Sequence, residues 1–117
     1  MNTTVLIVDD HPSFRASARM LLEAEGYEVV GEAEDGRQAL AAAGELRPDL
    51  VLLDVQLPDL DGFEISSRLV AARPAPAVIL VSSRDGSDYG SLAGESGARG
   101  FIAKSELSAA AVEELLA

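Results

Sequence analysis

Three aspartates, two serines and a lysine stand where short apolar runs stop. Val5 to Val8 leads into Asp9 and Asp10, Leu50 to Leu53 into Asp54, Val78 to Val81 into Ser82 and Ser83, and Phe101 to Ala103 into Lys104. Taken singly, each has an ordinary role: an aspartate caps a helix or begins a turn, a serine sits in a loop, a lysine is solvated. Taken together, three carboxylates brought to one edge would repel one another unless a cation sat among them. A few carboxylates completed by water and a backbone carbonyl suit Mg²⁺. A lysine and a hydroxyl add the point charge and the hydrogen-bond donor that a phosphoryl group requires.

Bringing those positions to one edge is the work of the elements between them. Short β-branched runs alternate with segments of helical period, which predicts βαβ units and a parallel sheet covered on both faces. Five strands are expected at Val5 to Val8, Glu28 to Ala33, Leu50 to Leu53, Val78 to Val81 and Phe101 to Ala103. The second alternates in polarity and reads as an edge; the first is expected to be central.

Pro12 suits a first helical turn, and Phe14, Ala18, Leu21 and Leu22 form an apolar stripe until Gly26. Asp35-Gly36 can open a second helix carrying Ala39, Leu40, Ala43 and Leu46, closed by Pro48. Asp61-Gly62 opens a third, with Phe63, Leu69 and Val70 inward, ended by the loop Arg73-Pro74-Ala75-Pro76. A fourth, from about Ser87 to Ser96, contains Gly90 and Gly94 and should be short or mobile, at about 1 kcal/mol per glycine relative to alanine. A last helix is expected from about Glu106, presenting Leu107, Ala111, Val112 and Leu115. Right-handed crossovers on such a chain give a doubly wound sheet, with ligands beyond the carboxyl ends of the strands.

Composition narrows the classes. At 117 residues, 48% of them hydrophobic, one domain over 1–117 is expected. Twenty acidic against nine basic residues give a net charge of −11, which argues against direct binding of nucleic acid or an anionic membrane by this segment. There is no cysteine, so thiolate metal sites are excluded, and the single His11 cannot build a metal cluster alone. The apolar runs fall far short of the roughly 18 residues that span a bilayer, and the N-terminus does not read as a signal peptide. A cytoplasmic location is expected.

Four motifs in order, Val8-Asp9-Asp10, Leu53-Asp54 with Leu57-Pro58-Asp59-Leu60-Asp61-Gly62, Val81-Ser82-Ser83, and Gly97 to Lys104, resemble the receiver domains of two-component response regulators. The likeness covers essentially the whole chain. It implies a flavodoxin-like (βα)5 fold with strand order 2-1-3-4-5. It also implies Asp54 as nucleophile toward the phosphohistidine of a sensor histidine kinase. Asp10 and Asp54 would ligate Mg²⁺ directly, Asp9 would help through water, and Gln56 would give its backbone carbonyl. Ser82 matches the hydroxyl that bonds the phosphoryl oxygen, Lys104 its lysine partner, and Phe101 the aromatic switch residue. Helix four, strand five and helix five would form the switched surface, controlling an effector or a homodimer formed on phosphorylation. His11-Pro12 resembles the NarL/LuxR-type receivers, which implies a C-terminal helix-turn-helix DNA-binding domain outside this sequence and a role in transcription.

The chain departs from the common receiver pattern at Ser105, where many receivers carry a proline after a cis bond. A cis bond before serine costs about 3–4 kcal/mol, so trans is expected. It departs too in the glycines of the fourth helix and in serine rather than threonine at Ser82, whose rotamer is less restricted. A small Mg²⁺-dependent phosphatase with an aspartate nucleophile would share the chemistry, but its general acid two residues on is here Gln56. A receiver that only docks would lack an acid or the lysine. A flavin site would need a phosphate-cradling loop where Asp9-Asp10 stands.

Overall fold

The computed structural model describes residues 2–83 and 92–117. Five parallel strands, β1 (Thr4–Val8), β2 (Glu28–Ala33), β3 (Leu50–Asp54), β4 (Ala77–Ser82) and β5 (Gly100–Ala103), form one sheet in the order β2-β1-β3-β4-β5. The helices are α1 (Pro12–Ala24), α2 (Gly36–Leu46), α3 (Gly62–Val70), α4 (Leu92–Glu95) and α5 (Ala109–Leu116). β2 is an edge, as its alternation predicts. β1 is interior, but the middle position belongs to β3.

The strand sequences explain the layering. Each inner strand is apolar on both faces because each face is covered. Val5, Ile7, Leu50, Leu52, Ile79 and Val81 point to the side where α1 and α5 bring Ala18, Leu22 and Val112. Leu6, Val8, Val51, Leu53, Val78 and Leu80 point to the side where α2 and α3 bring Ala39, Ile65 and Leu69. Full burial of one such side chain contributes about 1.5–3 kcal/mol. In β2, pairing passes from Val29 to Gly31, leaving Val30 as a bulge on the edge strand.

Helix ends follow local chemistry. Asp35 caps α2 by accepting the Gln38 N–H at 2.8 Å, and Asp61 caps α3 by accepting from Phe63 and Glu64. α2 stops at Arg47, a non-glycine residue at φ 49, whose N–H returns to the Ala43 carbonyl before Pro48. Ser66 of α3 donates from its buried hydroxyl to the Ser96 carbonyl at 3.0 Å, tying α3 to the end of α4.

Several expectations shift. The last helix begins at Ala109, not near Glu106, because Lys104–Glu106 forms a 3₁₀ turn and Ser108 caps the helix by accepting the Ala111 N–H at 3.0 Å. Leu46 is 42% exposed rather than core, because it lies at the last turn of α2 over Gly31 at the sheet edge. In α1 only Ala18 and Leu22 are fully buried, with Phe14 and Leu21 half-covered; in α3 Leu69 is buried as expected, Phe63 and Val70 are half-covered, and the buried Ile65 was omitted from the inward set. The expected start of the fourth helix at Ser87, and Gly90 within it, lie outside the described residues. Lys104–Ser105 is trans, as expected; Arg73–Pro74 is cis.

Candidate functional site

Asp9 follows β1 directly and is wholly buried. Its N–H donates to the Ala33 carbonyl at 3.0 Å, and its own carbonyl accepts from the Arg15 guanidinium, which fixes where the side chain starts. Oδ1 accepts the His11 backbone N–H at 2.8 Å, and His11 Nδ1 stands 3.0 Å from it. Asp10, exposed, puts Oδ1 3.1 Å from the same Nδ1. Asp54 closes β3 and is buried; its Oδ1 accepts the Gln56 N–H at 3.0 Å. Lys104 reaches across from the turn after β5, placing Nζ 2.6 Å from Asp9 Oδ2 and 3.3 Å from Asp54 Oδ2. The same Nζ lies 4.7 Å from the centroid of the Phe14 ring.

The electrostatics follow from that crowding. Burial above all raises the Asp54 carboxyl above its ordinary range; the Gln56 N–H opposes this, Asp9 adds to it and Lys104 opposes it. Burial also works against the Lys104 ammonium, but its bond to Asp9 and the charges of Asp54 and Asp9 outweigh it and keep the group protonated to higher pH than usual.

A cleft of about 340 Å³ opens over these groups, lined by Asp10, His11, Asp54, Gln56 and Lys104 with Leu57, Pro58 and Ser83. The structure therefore brings Asp10, Asp54, Gln56 and Lys104 into one opening, with Asp9 buried alongside. Ser82 is buried rather than on the lining, where Ser83 stands. Ser82 pairs with Ala103 in register and Leu80 with Phe101, so Phe101 lies two residues back from the strand end and not at the end itself. By strand alternation Ser82 and Phe101 still share the face toward α2 and α3, where Phe101 packs half-buried.

His11 is the residue that sequence reasoning missed. Asp9, Asp10, His11 and Asp54 each offer one ligand atom, all within 4.8 Å of one another. The adjacency Asp-Asp-His was its signal, since a side chain two residues on can fold back onto an aspartate. Asp9 Oδ2, wholly buried, accepts no well-directed hydrogen bond despite the 2.6 Å approach of Lys104. Two buried carboxylates that share one ammonium, with a third carboxylate at the rim, leave an excess of negative charge that fits a divalent cation held mainly by oxygen, as Mg²⁺ prefers.

The loop between β3 and α3 is also closely held. Gln56 bridges to Asp61, and Asp59, at its tip, accepts the N–H groups of Gly36 at 2.7 Å and Arg37 at 3.1 Å across at the start of α2. Those bonds, the Gly36 one first, hold the Asp59 carboxyl below its ordinary range although it is exposed. Gly62 must be glycine because a Cβ there would come within 2.5 Å of the Asp54 carbonyl oxygen.

Residues 5–116 match the family model described as the response regulator receiver domain. This chain is a response regulator receiver. It is 41% identical over 106 residues to the transcription regulator BvgA of Bordetella pertussis, and 38% identical over 101 residues to the response regulator GacA of Pseudomonas aeruginosa. Those alignments cover 91% and 86% of the chain but 51% and 47% of the relatives, so the receiver spans about half the length of the curated relatives it matches. The signal receiver domain of NarL from Mycobacterium tuberculosis superposes with a TM-score of 0.85 at 32% identity, covering 98% of this chain and 97% of that one. A LuxR-family response regulator from Aurantimonas gives 0.87 at 31% identity, covering 99% and 86%. The flavodoxin-like order and the likeness to NarL/LuxR-type receivers are thus borne out. Among the described residues no helix is long and apolar enough to cross a membrane.

Proposed function

We propose that this receiver takes a phosphoryl group onto Asp54 from the phosphohistidine of a sensor histidine kinase and acts as a switch rather than a turnover enzyme. The observation that carries the reading is the pair of contacts from Lys104 Nζ to Asp9 at 2.6 Å and Asp54 at 3.3 Å. A lysine held there meets the developing charge on a transferring phosphoryl group without having to be recruited.

With its Oδ1 occupied by the Gln56 N–H, Asp54 presents Oδ2 beside Lys104. Oδ2 attacks phosphorus in line as the P–N bond to the imidazole breaks, the nitrogen keeps the bonding pair and takes up a proton, and an acyl phosphate results. Asp10, Asp54 and the Gln56 carbonyl would hold Mg²⁺, with Asp9 acting through water. That ion supplies charge neutralisation and orientation of the phosphoryl oxygens. Lys104, already beside Asp54 Oδ2 at 3.3 Å, would pair with a phosphoryl oxygen.

Output is read as an inward movement of the Ser82 hydroxyl coupled to Phe101, reshaping the face of α4, β5 and α5 to favour a homodimer or an effector. Names such as BvgA and GacA support transcriptional control through a helix-turn-helix domain outside this sequence, and a net charge of −11 supports assigning DNA contact to that domain. A cytoplasmic location fits a kinase partner of this kind.

The test is intact-mass measurement after incubation with acetyl phosphate and Mg²⁺. One phosphoryl group is expected on the wild type and none on Asp54→Asn; equal labelling of the variant would move the nucleophile elsewhere.

A further inference from the structure

At the edge of the sheet opposite Asp54, where β3 and β4 begin, the ends of α2 and α3 and the loop after α3 enclose a cavity of about 380 Å³. Its apolar lining includes Leu40, Leu69 and Pro48, and three arginines, Arg47, Arg68 and Arg73, stand around it. Nothing in the receiver chemistry above uses it. Cavities of about 300–1,000 Å³ with mainly apolar walls and a few convergent polar groups are the usual form of a small-molecule site.

The charges decide what kind of molecule. Arg15 and Arg19, on another face of the molecule, are neutralised by Glu32. Among the described residues, Arg47 and Arg73, like Arg37 and Arg99 elsewhere on the surface, have no carboxylate within ion-pair distance, but only these two stand together on one cavity wall; Arg68 pairs with Glu64 at 3.0 Å in a surface contact of little strength. Arg73 Nη1 donates to the carbonyls of Val70 and Ala72, which anchors that guanidinium over the end of α3. Arg47 is the one non-glycine residue at positive φ among the described residues, and its left-handed backbone places it on this wall. Asp49 is the one carboxylate on the described lining, and it is engaged by Thr4, accepting from both the backbone N–H and the hydroxyl.

We infer that this cavity is a second ligand site that takes a small organic anion with an apolar body, such as an aromatic carboxylate, its charge met by Arg47 and Arg73 and its body lying against Leu40, Leu69 and Pro48. Guanidinium forks match a carboxylate bidentately, and the hydrocarbon walls exclude an anion that is merely hydrated.

The experiment is a ¹H–¹⁵N titration of the chain with 2-naphthoate, in parallel with the neutral 2-naphthalenemethanol and with acetate, in EDTA so that the Asp54 cleft holds no metal. Saturable shifts are expected at amides in 40–49 and 68–77, with binding at least about fivefold weaker for the alcohol and for acetate. The double variant Arg47→Asn, Arg73→Gln should weaken naphthoate about tenfold while its spectrum away from the cavity and its melting temperature stay those of a folded chain; asparagine tolerates the left-handed backbone. Absence of saturable binding, equal binding of the alcohol, shifts centred elsewhere, or unchanged affinity in a folded double variant would each overturn the inference. Failure to phosphorylate Asp54 would leave it untouched.

Discussion

Lys104 Nζ lies 4.7 Å from the centroid of the Phe14 ring, so the lysine that pairs with Asp9 and Asp54 rests on an aromatic face of α1. Such a contact is worth about 0.5–1 kcal/mol at a partly exposed site, or roughly two- to fivefold in rate or affinity. Phe14→Leu is expected to slow acetyl-phosphate labelling by that factor, and Phe14→Tyr to keep the wild-type rate. In a Lys104→Met background the Phe14→Leu effect should vanish, because the ring acts through the ammonium; an undiminished effect there would show that Phe14 matters only as packing.

The raised pKa of Asp54 has a defined sign in stability. A carboxyl that holds its proton more tightly folded than unfolded loses stability as pH rises from its ordinary value of 3.8 through the raised one, and the penalty persists above. Without metal at neutral pH, Asp54→Asn should therefore melt higher than the wild type, the gap shrinking below the ordinary value. Millimolar Mg²⁺ should raise the wild-type melting temperature by mass action and leave Asp10→Asn unmoved. Thermal melts across pH, with EDTA and with Mg²⁺, read both effects.

Asp59 works in the opposite direction. Its carboxyl, lowered first by the Gly36 N–H, contributes stability that is present above its ordinary value and is lost as pH falls through the lowered one. Asp59→Asn should melt below the wild type at neutral pH and converge with it in acid. Parallel curves down to the lowest pH would show that the bonds to α2 carry no charge dependence.

Two glycines should respond to alanine with opposite signs. At Gly62 the added methyl meets Asp54 O at 2.5 Å and Val55 Cα at 2.6 Å, both backbone atoms, so a loss at or above the usual overpacking cost of about 1–3 kcal/mol is expected. At Gly44, inside α2, nothing lies within 4 Å, and a gain of about 0.5–1 kcal/mol is expected. Urea unfolding measures both.

The sheet was legible because strands covered on both faces read as unbroken apolar runs, and the residues ending those runs, Asp9, Asp54 and Lys104, are the ones that meet. Interactions that join distant or non-periodic positions were not legible. Asp59 serves a helix more than twenty residues earlier, and Ser82 and Ser83 differ only in which of them the pleat turns inward. Ser108 carried a capping signal, but the apolar Leu107 before it drew the expected helix start too early. Leu46 fits the α2 period yet falls where the sheet edge leaves it little to cover.

The loop that forms one wall of the Asp54 cleft is fastened near its base by the Gln56 N–H, across its neck by the Gln56–Asp61 bridge, and at its tip by Asp59 on α2. The stretch from Gln56 to Asp61 is thus tied at three points. Among the described residues, Ser83 and Lys104 stand on the facing wall. On the function proposed above, a phosphoryl group arriving at Asp54 would meet one wall already tied down, and the rearrangement would fall to the side of β4 and β5.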